Sequence, residues 1–141
     1  MGDNAFTMYN AVDAETMEVA WQVIVDGNLD NSDMDYTGRF AASTCYNSEK
    51  ATDLAGMMRN ERNWVVVFVI PAIEKEIKAK RFITLGDSKV PVVDGRKKDG
   101  KASVVTRYNP VPKNPQGLNT SPDGKYFIAN GMLSHTCTMI A

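Results

Sequence analysis

Short β-strand patterns separated by tight turns constrain the fold of this chain more than any other feature. Val19–Val25 alternates heavier and lighter side chains with a period of two, which is typical of a strand with one buried face. An Asp-Gly-Asn turn follows it at 26–28. A Ser-Pro-Asp-Gly-Lys turn at 121–125 precedes a second apolar run, Tyr126–Ala129. This alternation of turns and strands predicts a mainly β protein.

Further elements are predicted around these two units. The carboxylate of Asp13 can accept hydrogen bonds from backbone N–H groups in a turn over 12–16. Trp64–Ile70 is rich in β-branched and aromatic residues and predicts a buried strand, and Pro71 then begins a helix that runs to about Lys80. The remaining predictions are strands at Tyr36–Ser43, Val90–Val93 and Thr136–Ile140, a short helix from Asn47 to Met58, a rigid polar loop at Lys113–Thr120 and a hairpin turn at Asn130-Gly131.

Turn and strand pairs of this kind are typical of β-propeller blades. At about 40–50 residues per blade, a chain of this length holds three blades or fewer, whereas propellers have about 4–8 blades. The apolar run at 138–141 resembles a strand that is cut short. We therefore expect a fragment with about two to three blades and short helical insertions. Residues 1–5 contain no export signal, which for a fragment carries no information about the compartment.

Charge and composition exclude several classes of protein. The chain has 16 basic and 17 acidic residues, unlike a general nucleic-acid binder, which is strongly basic. Residues 1–63 carry 11 acidic and four basic side chains, whereas residues 64–141 carry six acidic and 12 basic side chains. We interpret this asymmetry as two solvated faces. No apolar run approaches the roughly 20 residues that cross a bilayer. Cys45 and Cys137 are too few for a disulfide framework and match no zinc spacing.

Two polar segments could supply oxygen ligands to a metal ion. Residues 45–49 place a phenol, an amide and a carboxylate at the end of a strand, and residues 113–120 form a polar loop before a turn. Calcium takes oxygen ligands from such groups, so the composition is compatible with a calcium site. Arg96, Lys97, Lys98 and Lys101 also leave open a module for anionic ligands, although a solvated face is the simpler interpretation.

Four long blocks, at 12–31, 45–49, 64–68 and 114–131, closely resemble the nitrous-oxide reductase family. The resemblance covers nearly the whole chain and corresponds to an internal stretch of the amino-terminal seven-bladed β-propeller. It implies a periplasmic, homodimeric denitrification enzyme that reduces nitrous oxide to dinitrogen and water, with a cytochrome c or cupredoxin as electron donor. It also implies a tetranuclear copper–sulfide cluster on seven histidines in the propeller. A binuclear copper centre belongs to a carboxy-terminal cupredoxin domain, which these residues do not include.

The resemblance further implies a calcium site. The tyrosine and glutamate of the family's Tyr-Asn-Ser-Glu block correspond to Tyr46 and Glu49, and Met57 stands where a methionine contributes its backbone carbonyl. The family's aspartate before the Trp-Val-Val-Val-Phe strand is Asn63 here. Because one negative charge is lost, weaker calcium binding is expected. Asn114 completes the implied ligand set.

Position 116 departs from the family's Asn-Pro-His-Gly motif, whose histidine binds the copper cluster. This chain has Gln116, and a glutamine offers copper only a weak, hard amide oxygen. Either the cluster binds poorly or the change reflects a single-base sequencing difference. His135 stands where the family usually has a proline, which predicts a surface loop residue.

We therefore expect no catalytic residue within this segment and no activity from the isolated chain, because at most one of the seven implied cluster ligands would lie in it. The alternative interpretation is a calcium-binding or protein-interaction propeller with no redox role, since one fold can carry many functions. The resemblance implies nitrous oxide as the substrate, and the composition implies neither nucleic-acid binding nor membrane insertion.

Overall fold

The computed structural model describes residues 6–46, 53, 55, 63–101, 103–132 and 134–141. Ten strands and one helix are named within these ranges, which confirms the prediction of a mainly β protein. No helix in them has the length and apolarity that crossing a bilayer requires. The elements are β1 Phe6–Val12, β2 Val19–Asp26, β3 Asn28–Met34, β4 Phe40–Tyr46, β5 Trp64–Val69, α1 Ile70–Lys78, β6 Val92–Asp94, β7 Thr106–Pro110, β8 Pro115–Thr120, β9 Phe127–Gly131 and β10 Thr136–Ile140.

The strands form three sheets, with the orders β1-β2-β6, β3-β4-β5-β7 and β10-β9-β8. The second of these, which we call the middle sheet, is antiparallel throughout and packs against both of the others through two hydrophobic clusters. Side chains along a strand alternate between its faces. The three sheets are therefore stacked face to face and do not close, as expected for a partial propeller.

Strand β5 shows why the middle sheet can have two buried faces. Val66 and Phe68 belong to the cluster shared with the first sheet, and Val65 and Val67 belong to the cluster shared with the third. A run of apolar residues without polar alternation is typical of a strand that is buried on both sides. The ring of Phe68 also stacks on Tyr9 of the first sheet, with the ring centroids 4.3 Å apart.

Helix α1 carries the chain from the middle sheet back to the first sheet. It begins directly after β5 with Pro71 in its first turn, as predicted, because proline loses no helical hydrogen bond there. Ile73 is fully buried and Ile77 packs against the same cluster, so the helix lies against the sheets through one face. Strand β6 then pairs parallel with β2, and the chain returns to the middle sheet as β7.

The first prediction that needs correction is the strand at Tyr36–Ser43. Residues 36–39 form a turn and β4 begins only at Phe40. Asp35 explains the turn, because its carboxylate accepts the backbone N–H of Phe40 at 2.9 Å and the hydroxyl of Thr37. Gly38 adopts a φ of 69°, which favours glycine.

Two predictions near the carboxyl end also need correction. Most of the polar loop predicted at 113–120 is strand β8. This strand lies at the edge of its sheet, where the missing N–H of Pro115 is tolerated. Asn130 and Gly131 are the last residues of β9, and the chain reverses only afterwards. His135 is exposed in that reversal, as predicted. The helix predicted from Asn47 to Met58 lies almost wholly outside the described residues.

Candidate metal centre

The end of β4 and the beginning of β5 lie side by side in the middle sheet. Cys45 of β4 pairs with Trp64 of β5, so antiparallel continuation places Tyr46 opposite Asn63. The backbone of Tyr46 also pairs with Asn28 of β3. Two of the residues implied as calcium ligands therefore occupy neighbouring positions in the sheet. The side chain of Tyr46, together with Glu49 and Met57, lies outside the described residues.

Asn114 joins this group from the segment before β8. The backbone N–H of Asn114 donates to Oδ1 of Asn63 at 3.0 Å, across 51 residues of sequence. Both residues are buried, with 5% and 3% of their surfaces exposed. Asn114 has a φ of 53°, a left-handed conformation that asparagine tolerates better than most residues.

Further hydrogen bonds hold the backbone at both asparagines. The carbonyl of Asn63 accepts the N–H of Val111 at 3.1 Å, and the carbonyl of Asn114 accepts the N–H of Met132 at 2.9 Å. Strand β5 and the end of β9 thus hold the segment before β8 from two sides. This arrangement fixes the side chain of Asn63 relative to the backbone of Asn114.

The described part of the implied calcium set fits a hard cation. Amide oxygens are suitable calcium ligands. Since Oδ1 of Asn63 has two lone pairs, it can accept the Asn114 N–H and still face a cation. Among the described residues no three His, Cys, Asp or Glu side chains group together. Glu49, the acidic ligand that the resemblance implies, lies outside the described residues.

The position implied for a copper ligand lies two residues beyond Asn114. Gln116 is exposed, whereas its neighbours Pro115 and Leu118 on the same strand are buried. Its side chain ends in an amide and cannot supply the imidazole nitrogen that copper prefers. His135 is exposed in the turn between β9 and β10. The residues present here therefore do not fit a copper cluster.

Comparison with known proteins identifies the family. Residues 2–31 match a family model described as nitrous oxide reductase propeller repeat 2. A nitrous-oxide reductase from Stutzerimonas stutzeri is 76% identical over 139 residues, which is 99% of this chain and 22% of that protein. The nitrous-oxide reductase of Pseudomonas fluorescens is 77% identical over 98% of this chain and 22% of its own length. The chain belongs to the nitrous-oxide reductase family.

A more distant member of the nitrous-oxide reductase family supports the same assignment. The protein from Ralstonia nicotianae is 49% identical over 137 residues, which is 95% of this chain and 21% of that protein. The chain spans about a fifth of the length of the family members it matches. It therefore corresponds to one segment of a nitrous-oxide reductase sequence.

The structure of this nitrous-oxide reductase segment also shows polar links that the sequence did not reveal. Asp33 on β3 accepts the backbone N–H of Thr120 on β8 at 2.6 Å and the hydroxyl of the same residue at 2.8 Å. The hydroxyl of Thr44 on β4 donates to the carbonyl of Gln116 at 3.0 Å. Both links join the middle sheet to the third sheet, and the Thr44 link lies beside the candidate centre. No local pattern signals them, because each depends on how two sheets pack.

The basic run at 96–98 makes contacts within the chain. Arg96 and Lys98 both pair with Asp94, at 2.9 and 3.8 Å, and the hydrogen bond from Arg96 holds the pKa of Asp94 below its ordinary value. Nζ of Lys97 lies 4.4 Å from the centroid of the Trp64 ring. The Asp94 pairs are local to the β6 turn, and the Lys97 contact attaches this turn to the middle sheet. An anionic ligand is therefore not needed to explain the run.

Proposed function

We propose that this chain forms a sector of the propeller of an enzyme that reduces nitrous oxide to dinitrogen and water. The observation that carries the proposal is the 76% identity to a nitrous-oxide reductase over 99% of the chain. The stack of three unclosed sheets supports it, because a propeller is built from such blades. The whole enzyme would be a periplasmic homodimer that receives electrons from a cytochrome c or a cupredoxin.

Within that enzyme, the segment would hold a structural calcium ion. Asn63 and Asn114 would contribute amide oxygens, and Tyr46, Glu49 and the backbone carbonyl of Met57 would complete the site. The buried hydrogen bond between Asn63 and Asn114 supports this role, because it brings together two of the implied ligands from distant parts of the sequence. A cation there would tie the end of β4 to the start of β8.

The segment would contribute scaffold to the copper cluster, and it would not contribute a ligand. Gln116 occupies the implied ligand position with a side chain that does not fit copper. The isolated chain would accordingly have no nitrous-oxide reductase activity. The binuclear copper centre and its cupredoxin domain would lie elsewhere in the enzyme.

One observation favours a second candidate function. Position 116 holds a glutamine, which does not supply the nitrogen ligand that copper prefers. A propeller without a redox role could tolerate this residue, whereas an enzyme that needs a histidine ligand at position 116 could not. In that case the segment would belong to a calcium-binding or protein-interaction propeller. The calcium residues would then be retained for stability alone.

A hybrid enzyme distinguishes the two functions. We define the hybrid as the Stutzerimonas stutzeri nitrous-oxide reductase in which the matching 139-residue segment is replaced by this chain. It would be made with Gln116 and with the substitution Gln116→His, loaded with copper, and assayed for nitrous-oxide consumption. The unmodified enzyme is the control.

We expect the Gln116→His hybrid to reduce nitrous oxide, and the Gln116 hybrid to be at least about tenfold less active. Substituting a residue that only supports a metal ligand already lowers metal affinity or activity by about 10–100-fold. If the Gln116→His hybrid folds and binds calcium but consumes no nitrous oxide, the enzymatic proposal is wrong. That result would favour the non-catalytic propeller.

A further inference from the structure

An open cleft lies between the segment that follows α1 and the turn that follows β6. Its volume is about 450 Å³, which is within the usual range of about 300–1,000 Å³ for small-molecule sites. The apolar part of its lining includes Ile24 on β2, Val92 on β6 and Ile83. Ile24 and Val92 are buried, whereas Ile83 leaves 55% of its surface exposed. The cleft therefore combines a buried apolar floor with an exposed apolar side chain.

Four cationic side chains line the same cleft, which we call the basic cleft: Lys80, Arg81, Arg96 and Lys98. Among the described residues, Asp94 is the only carboxylate in the lining. The ion pairs of Arg96 and Lys98 with Asp94 account for the local order of the basic run. Because one carboxylate faces four cations, these pairs leave the cleft with an excess of positive charge.

Both arginines of the basic cleft are oriented by bidentate ion pairs. Nε and Nη2 of Arg81 donate to the two carboxylate oxygens of Glu76, both at 2.7 Å. Nε and Nη2 of Arg96 donate to the two carboxylate oxygens of Asp94, both at 2.9 Å. A guanidinium has more N–H donors than such a pair uses, so each arginine retains donors for a further acceptor. Because the side chains are already oriented, a ligand loses less free energy in ordering them.

Lys80 lies where α1 ends in a Schellman motif. The N–H groups of Lys80 and Arg81 donate to the carbonyls of Ile77 and Glu76, both at 2.9 Å. Lys80 has a φ of 57°, a left-handed conformation that favours glycine at the end of a helix. The backbone at this position therefore does not need a lysine. Replacing Lys80 by glycine removes its charge from the cleft and suits the local conformation.

We propose that the basic cleft binds an amphiphilic organic anion. A carboxylate or phosphate group would pair with Arg81 and Arg96, since both groups match the donor geometry of a guanidinium. The apolar part of the ligand would lie on Ile24 and Ile83. The inference does not rest on the proposed function, because none of these residues is an implied metal ligand. Failure of one therefore leaves the other unaffected.

The test measures ligand binding to the hybrid that carries Gln116, by isothermal titration, so that the cleft is presented within a full-length chain. Octanoate and octyl phosphate are the two probes, and the tighter of them identifies the preferred anionic group. Octanamide has the apolar chain without the charge, and acetate has the charge without the chain. We expect saturable binding of at least one probe, and at least about fivefold weaker binding of octanamide and acetate, because a unit charge about 4 Å away gives that factor in water.

Substitutions then locate the bound anion. Lys80→Gly and Arg96→Gln each remove one positive charge from the cleft, and Ile83→Ser removes apolar surface. We expect each loss of charge to weaken probe binding about fivefold, on the same basis of one unit charge at about 4 Å. Arg107→Gln is the matched control, because Arg107 is an exposed arginine on β7 that does not line the cleft. It should bind the probe as the hybrid does.

Several results would overturn the inference. They are the absence of saturable binding of both probes, octanamide or acetate bound as tightly as the tighter probe, and unchanged affinity in Lys80→Gly and Arg96→Gln. The thermal midpoint shows whether each variant is folded. If Arg96→Gln fails to fold because Asp94 loses a partner, Lys80→Gly alone decides, since glycine suits that backbone conformation.

Discussion

Oδ1 of Asn63 accepts the backbone N–H of Asn114 at 3.0 Å inside the protein, and this bond joins the middle sheet to the segment before β8. Both residues are buried, so the bond is protected from exchange with water. Their side chains are also two of the implied calcium ligands. The same pair therefore serves the packing of the sheets and, under the proposed function, would also bind the calcium ion.

Asn63→Asp should strengthen calcium binding by the hybrid. A carboxylate can accept the same N–H of Asn114 and adds a negative charge next to the cation. Two unit charges 4 Å apart attract by about 1 kcal/mol even in water, so affinity should rise about fivefold or more. Isothermal titration with calcium measures the change. An unchanged affinity would mean that residue 63 does not face the ion.

Asn63→Leu in this chain should separate the structural role from the metal. It removes the acceptor and leaves the N–H of Asn114 buried without it, which costs about 1–3 kcal/mol. Urea unfolding in the presence of a chelator measures the loss. Asn119→Leu, the same substitution at an exposed position on β8, is the matched control and should unfold near the parent midpoint. A leucine variant as stable as the parent would contradict this role.

Asp33→Ala should loosen the packing of the middle sheet on the third sheet. The substitution leaves both the N–H and the hydroxyl of Thr120 without their acceptor. Hydrogen bonds to charged groups contribute about 1.5–3 kcal/mol, so the free energy of unfolding in urea should fall by that order. Asp87→Ala, at an exposed loop position, is the matched control and should change stability little.

Gly117→Ala should destabilise the β8 bulge. A Cβ at this position would lie 2.4 Å from Oδ1 of Asn130, which is closer than atoms can approach, so the asparagine must move and release the Gly117 N–H. Because Asn130 is exposed and can turn away, the cost is mainly that of the lost hydrogen bond, about 0.5–1.5 kcal/mol. The double variant Gly117→Ala/Asn130→Ala should lose less stability than the sum of the single variants. Strict additivity in urea unfolding would show that the two residues do not interact.

Asp35→Asn should remove part of the acid sensitivity of the fold. Burial raises the pKa of Asp35, but the hydrogen bonds from Thr37 and from the backbone N–H groups of Phe40 and Arg39 outweigh burial and hold the pKa below its ordinary value of 3.8. A lowered pKa stabilises the folded state above the ordinary value, and this contribution disappears as pH falls through the folded-state pKa.

The urea midpoint should therefore fall less between about pH 5 and pH 3 in Asp35→Asn than in the parent chain. At neutral pH the variant should be the less stable of the two, because an amide accepts these bonds less strongly. Identical pH profiles would show that the turn carboxylate does not contribute.

Local patterns predicted the elements whose cause is local. The apolar run of β5, the proline at the start of α1 and the Ser121–Lys125 turn are each specified by neighbouring residues. The turn is confirmed by the Ser121 hydroxyl, which donates to Asp123 at 2.6 Å, and by the N–H of Gly124, which donates to the carbonyl of Ser121 at 2.8 Å. Burial on one or both faces makes such periodicity visible in the sequence.

Strands that depend on distant partners were not predictable in the same way. The sequence of β3, Asn-Leu-Asp-Asn-Ser-Asp-Met, is polar on both faces and contains a bulge, so it has no clean alternation. Strand β8 begins with proline and is likewise bulged. The proximity of Asn63 and Asn114 follows from the packing of two sheets. Only the resemblance to a family pointed to these residues together.

The most direct test of the account is a crystal structure of the calcium-loaded hybrid with anomalous diffraction from the ion. We expect one calcium peak within ligand distance, about 2.3–2.6 Å, of oxygens from Asn63 and Asn114, with Tyr46, Glu49 and Met57 completing the shell. The Asn63–Asn114 hydrogen bond should persist. A well-ordered segment with no anomalous peak there, or a peak bound by other residues, would contradict the account.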